Sequence, residues 1–309
     1  MPLPATLLER SKYGIVHRNG PAMELTTMIG CPLMCTFCPQ DNLRNAYGND
    51  LKYMTVEGLA SVLDKLPINT RIDFSGMAEP WANPNCTEML RVTLEKGFTV
   101  AVFSTLYGLK AEEVDTVVSL LEQYNDQIEV VCLHLPDNNK NMKGWKYSDE
   151  WKHVFMTVAK AKVKCGVGAM TMDQNGSVHE QIRDFARVSF GFEGHSRADS
   201  LDLEQVKGQA IKLPPRHTSS LTCYSTPFYD RNVLLPNGDV VLCCMDYGLK
   251  HIIGNLFKQD YYDIFQNKEL LDVIAINEKP EFSKCSICKS CDNVKYIREP
   301  IVDQVVRIY

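Results

Sequence analysis

The chain has 309 residues, 45% of them apolar and 23% charged, with a net charge of −5. That is an ordinary balance for a globular chain long enough to bury a large core, and it excludes fibrous and low-complexity classes. Lys and Arg form no stripe, and no apolar run approaches the roughly 18 to 20 residues of a membrane span, so neither nucleic acid nor a bilayer is an expected partner.

The opening MPLPATLLERSKYG lacks a basic start followed by an apolar run, so it does not read as a signal peptide, and a cytoplasmic address is expected. Residues 1–21 read as an N-terminal extension. From 22 to about 200, six strand-like runs follow: AMELTTMI, RIDFSGM, TVAVFST, IEVVCLHL, VKCGVGAMT and RVSFGF. Helix-like stretches alternate with them, among them TVEGLASVLDKL, PNCTEMLRVTLEKG, KAEEVDTVVSLLEQY and DEWKHVFMTVAKAK. Thr55 and Asp149 are expected N-caps, and Gly97 an expected stop. Six strands alternating with five helices predict parallel βα units, as an open sheet or an incomplete barrel. Such folds carry their chemistry on loops at the carboxyl ends of strands. After about 205, KGQAIKLPPRHTSS reads as a linker, NVLLPNGDVVLCC as a hairpin, YYDIFQNKELLDVIA as a helix and VDQVVRIY as a β-rich tail. The chain thus divides into an αβ body, 22–204, and a small cysteine-rich module, 205–309.

Twelve cysteines are many for a chain expected in a reducing compartment, where metal binding is a better reading than disulfides. Nine fall in three groups: Cys31, Cys35 and Cys38; Cys223, Cys243 and Cys244; Cys285, Cys288 and Cys291. Cys86, Cys132 and Cys165 are scattered and expected to be core. The first group, CPLMCTFC, sits on the loop after the first strand and supplies three thiolates, not four. Three can hold three irons of a [4Fe–4S] cube and leave the fourth open, the mark of a catalytic rather than a structural site. Zinc completed by a distant ligand is the alternative.

CPLMCTFC, with an aromatic residue before its third cysteine, resembles the radical S-adenosylmethionine (SAM) superfamily. The resemblance covers about residues 22–200 and implies an α/β fold, an incomplete (β/α)6 TIM-type barrel. It also implies that SAM occupies the open iron, that one electron cleaves it, and that the 5′-deoxyadenosyl radical takes a hydrogen atom from substrate. SGMAEP, after the second strand, is similar to the family's Gly-Gly-Glu-Pro loop, with Ala78 where glycine is usual. Gly76 and Glu79 of that loop, Phe37 near adenine, and Ser104 and Thr105 after the third strand are then expected to bind SAM, Glu79 through its ammonium.

The spacing of Cys223 and GDVVLC, with ICKSCDN further on, resembles SPASM or shorter Twitch auxiliary-cluster domains. It implies a second [4Fe–4S] cluster held by Cys223, Cys243, Cys288 and Cys291, with Cys244 and Cys285 as spares. On spacing alone a zinc ribbon suits these pairs equally well. Within the superfamily the chain most resembles the 2-deoxy-scyllo-inosamine dehydrogenase branch. That likeness implies oxidation of a small polar molecule (a sugar, cyclitol or alcohol), with the second cluster as electron acceptor and a low-potential donor such as flavodoxin or ferredoxin. Arg197 and Asp246 are its candidate catalytic residues, although Met77 and Met245 depart from that branch's pattern. His134 and His195 lie at strand ends, where a proton-transfer role competes with a scaffold one. Two other readings stand beside it: a maturase of a ribosomal peptide or protein side chain, disfavoured by the few residues before the first strand, and a non-catalytic zinc or iron–sulfur protein.

Overall fold

A computed structural model describes residues 20–191, 193–212 and 216–297. The predicted tail VDQVVRIY and all but the last two residues of the predicted N-terminal extension lie outside these ranges. Six parallel strands form the body: β1 Ala22–Leu25, β2 Arg71–Phe74, β3 Val100–Ser104, β4 Ile128–Leu135, β5 Val167–Thr171 and β6 Phe190–Gly191, paired in chain order. Between them lie α1 Gln40–Ala46, α2 Val56–Leu63, α3 Cys86–Glu95, α4 Val114–Gln123 and α5 Asp149–Val158. The strand runs are buried on both faces, as a helix-covered parallel sheet requires. Among the described residues the connection from β5 to β6 is built of turns, without a helix.

Local chemistry sets the element ends. Thr55 caps α2 by accepting from the Gly58 N–H at 2.9 Å. On α5 the cap is Ser148, not Asp149; its hydroxyl accepts from the Trp151 N–H at 3.0 Å. Asp149 is instead the first helical residue, where its charge meets the positive end of the helix. After α3, Gly97 turns the chain at φ +87, the left-handed position that glycine fills without strain.

The C-terminal module is joined to this sheet. β8 Arg231–Leu234 and β9 Asp239–Val241 form the expected antiparallel hairpin around Gly238, and β10 Ile252–Asn255 pairs with β9. β8 lies parallel to β1, in register from Ala22 opposite Arg231 to Leu25 opposite Leu234. One nine-stranded sheet results, in the order β10-β9-β8-β1-β2-β3-β4-β5-β6. β7 Leu221–Cys223 and β11 Val294–Tyr296 make a separate antiparallel pair, and a 3-10 turn at Tyr261–Gln266 leads into α6 Lys268–Glu278. The pairing of β8 with β1 sets the module's hairpin beside the first strand of the body.

Candidate active site between two cysteine groups

Cys31, Cys35 and Cys38 lie on the loop after β1, and the structure packs that loop against the one after β2. Gly76 makes the approach possible. Its φ is +62, and a Cβ there would stand 2.6 Å from Thr26 Oγ1, 2.8 Å from Thr26 N and 2.9 Å from Leu25 C. Ala78 carries no such constraint, since its φ lies outside the left-handed region. Three residues on, the Glu79 N–H donates to Cys31 Sγ at 3.4 Å. The buried Glu79 carboxylate accepts from Ser104 Oγ at 2.5 Å and from Thr105 N and Oγ1, both at 2.8 Å. Burial raises its pKa, and these donors pull against the rise. Ser104 and Thr105 thus commit their hydroxyls to orienting Glu79.

Gln40 escaped the sequence reading. Its Nε2 donates to the Met77 carbonyl at 2.6 Å, linking the two loops, while its buried Oε1 has no partner among the described residues. A buried acceptor left open on a cavity wall suits a ligand that brings a donor. Phe37, also buried, lines the same wall.

Across the cavity stand the thiols of Cys223, Cys243, Cys288 and Cys291. Burial pushes Cys223 up to about 11, Cys291 to about 12 and, in the first group, Cys31 to about 12, with neighbouring thiols adding to the rise. Backbone N–H groups of Thr226 and Asn293 donate to Cys223 and Cys291 sulfur at 3.4 Å each. Thiols so crowded ionise together only around bound cations, which is the chemistry of metal-held cysteine sets. Among the described residues no three His, Cys, Asp or Glu side chains converge on one point that a single ion could fill.

The spare cysteines separate. Cys285 is exposed, whereas Cys244 lines the cavity beside Glu24. Cys86 and Cys132 are buried as expected, but Cys165 is exposed: it falls in the turn before β5 rather than on the strand.

One cavity of about 600 Å³ joins the two cysteine groups. Arg197 lies on its wall at φ +53 and stitches the halves together, its Nε donating to the Phe37 carbonyl at 3.4 Å and its Nη1 to the Cys244 carbonyl at 3.3 Å. The guanidinium sits 5.6 Å from the centre of the Tyr247 ring. Asp246 is not brought to the cavity. Its carboxylate turns into its own loop and accepts from the N–H groups of Lys250 at 3.0 Å and His251 at 2.7 Å. His134 and His195 do line the cavity; burial, with Arg197 adding to it, lowers both pKa values, His134 to about 4.

Two further carboxylates line it that the sequence reading passed over, Glu24 on β1 and Asp73, its register partner on β2. Arg71 grips Asp73 with two hydrogen bonds, at 2.6 and 2.9 Å. The signal for them was there: a charged residue at an inward position of a strand otherwise buried on both faces.

The SPASM family, an iron–sulfur cluster-binding domain, matches residues 223–292, from Cys223 to just past Cys291. The C-terminal module is of SPASM type. No curated protein matches the chain in sequence. Among solved structures, BtrN in complex with AdoMet and 2-DOIA is similar at a TM-score of 0.58 and 18% identity, over 92% of this chain and 97% of that one. BtrN in an open conformation gives 0.51 and 15%, over 94% and 100%. anSMEcpe with bound AdoMet and Cp18Cys peptide gives 0.50 and 14%, over 89% of each chain. The chain has the fold of these structures, and its C-terminal residues 223–292 match the SPASM family. Among the described residues no helix is long and apolar enough to cross a membrane.

Proposed function

We propose that this chain is a radical SAM oxidoreductase that removes a hydrogen atom from a small polar molecule, a sugar, cyclitol or alcohol. The observation that carries the reading is the single cavity with the CPLMCTFC thiols on one wall and the SPASM thiols on the other.

Cys31, Cys35 and Cys38 would hold a [4Fe–4S] cube with one open iron. Gly76, Glu79 and Phe37 stand where they would hold SAM against it, Glu79 kept in place by Ser104 and Thr105. Cys223, Cys243, Cys288 and Cys291 would hold the auxiliary cube. SAM and the clusters would supply radical generation and a place for the substrate's surplus electron. The chain's own residues bind, orient and exclude water: Phe37, Met77, Met170 and Met172 make part of the wall apolar, and Arg197 fixes the first loop to the module while keeping its charge. An external low-potential donor of flavodoxin or ferredoxin type, in a reducing cytoplasm, completes the scheme. The solved structure of BtrN with 2-DOIA supports a cyclitol-sized substrate.

A second reading, a peptide or protein maturase, draws support from the structure of anSMEcpe with its Cp18Cys peptide. One experiment tests the proposal and separates the readings. Anaerobic, reduced enzyme with SAM is incubated with a panel of alcohols, sugars and cyclitols, and with cysteine-containing peptides. The proposal expects 5′-deoxyadenosine and a ketone from a member of the first panel. Turnover of peptide alone favours the maturase, and absence of 5′-deoxyadenosine in every incubation refutes both.

A further inference from the structure

Among the described residues that line the cavity, Glu24 is the carboxylate with no salt bridge and no loop hydroxyls directed at it. Asp73 beside it is gripped by Arg71, and Glu79 is held by Ser104 and Thr105. Glu24 lines the cavity beside Cys244. It stands on β1 between β2 and β8, the strand that carries the SPASM hairpin into the sheet. Cys244 directly follows Cys243, so Glu24 lies next to the auxiliary cysteines. Arg231, level with Ala22 on β8, lines the same cavity. Burial, with Asp73 adding to it, pushes the Glu24 pKa up to about 6, and Arg197 and Arg231 pull against the rise.

A carboxylate with spare acceptor capacity on a largely apolar wall leaves a polar ligand one strong contact to make. We infer that Glu24 is the residue that anchors the substrate, accepting a hydrogen bond from a substrate hydroxyl or ammonium. The inference rests on the oxidoreductase reading and adds to it the chemistry the substrate must present: a donor of O–H or N–H type, set deep between the two cysteine groups. Arg231 beside it supplies donors for an acceptor on the same molecule. Polyols and aminopolyols carry both kinds of group on one small ring.

The test is calorimetric binding to the anaerobically reconstituted, SAM-loaded enzyme, with 2-deoxy-scyllo-inosamine and scyllo-inositol as probes. Wild type is expected to bind at least one. Glu24→Gln keeps the shape and removes the charge, and should weaken that binding about 10- to 100-fold. Glu24→Asp should recover part of the loss. A larger loss for the aminocyclitol than for the inositol assigns the anchor to an ammonium, whereas equal losses assign it to a hydroxyl. Cys244→Ala leaves the carboxylate present but removes the thiol beside it and should weaken the same probe by about 3-fold, a readout that holds even if the Glu24 variants do not fold. Binding that Glu24→Gln and Cys244→Ala both leave unchanged, or no binding of either probe to wild type, overturns the inference. SAM cleavage by wild type is measured in parallel; its absence would mark failure of the underlying reading rather than of the anchor.

Discussion

Gly76→Ala is the sharpest structural perturbation available, because the cost has two separable parts and a second glycine isolates one of them. At φ +62 a side chain pays the left-handed penalty, about 1 to 2 kcal/mol. The new Cβ also meets Thr26 N at 2.8 Å and Leu25 C at 2.9 Å, backbone atoms of β1 and its exit that no rotamer change can move aside. Overpacking of that kind adds about 1 to 3 kcal/mol. Gly166 has nearly the same conformation, φ +71, but nothing within 4 Å of its Cβ position, so Gly166→Ala bears only the first cost. Urea unfolding of the metal-free protein should show Gly76→Ala less stable than Gly166→Ala by about 1 to 3 kcal/mol. The displaced loop carries Glu79 and its contact to Cys31, so SAM affinity of the reconstituted enzyme should fall in Gly76→Ala and hold in Gly166→Ala. Equal stability of the two variants would refute the close packing of the two loops.

Other substitutions bear on single residues. Cys243→Ala should lose about four irons per chain, whereas Cys244→Ala should keep its full complement in an iron and sulfide assay, because Cys244 is outside the expected ligand set. Asp246→Asn should lower the urea midpoint, at a cost of about 1 to 3 kcal/mol for weakening the carboxylate's hold on the 250–251 backbone, while the KM for SAM stays at the wild-type value. His134 titrates at about 4 in the folded chain against an ordinary 6.5, so between those values the unfolded chain binds more protons. Its contribution is therefore present above about pH 6.5 and is lost as pH falls towards 4, at up to about 1.4 kcal/mol per unit. The urea midpoint of His134→Gln should fall less steeply over that window than that of wild type.

The parts of this architecture that local pattern specifies were open to sequence reasoning. The six body strands announce themselves by apolar runs between amphipathic stretches, and the CPLMCTFC loop falls where such folds keep their chemistry. Local pattern fails where neighbours compete or where contacts are distant. Ser148 and Asp149 are both good caps, and only the backbone geometry chooses the serine. α1 is seven residues long, too short to show a period. The pairing of β8 with β1 joins positions some two hundred residues apart and leaves no mark in either strand. That pairing creates the shared cavity, so Glu24 and Arg231 could not be read as neighbours. Asp246 misled for the converse reason: it follows the module cysteines closely in sequence, yet the turn after Cys243 aims it at its own backbone.

The central claim is that two cubane clusters face one cavity, and metal content tests it most directly. Iron, sulfide and zinc per chain would be measured after anaerobic reconstitution of wild type and of the Cys31→Ala/Cys35→Ala/Cys38→Ala triple variant. The account predicts about eight irons in wild type and about four in the variant, with no zinc in either. About four irons falling to near zero, with zinc retained in both, would contradict it and make the C-terminal module a structural zinc site.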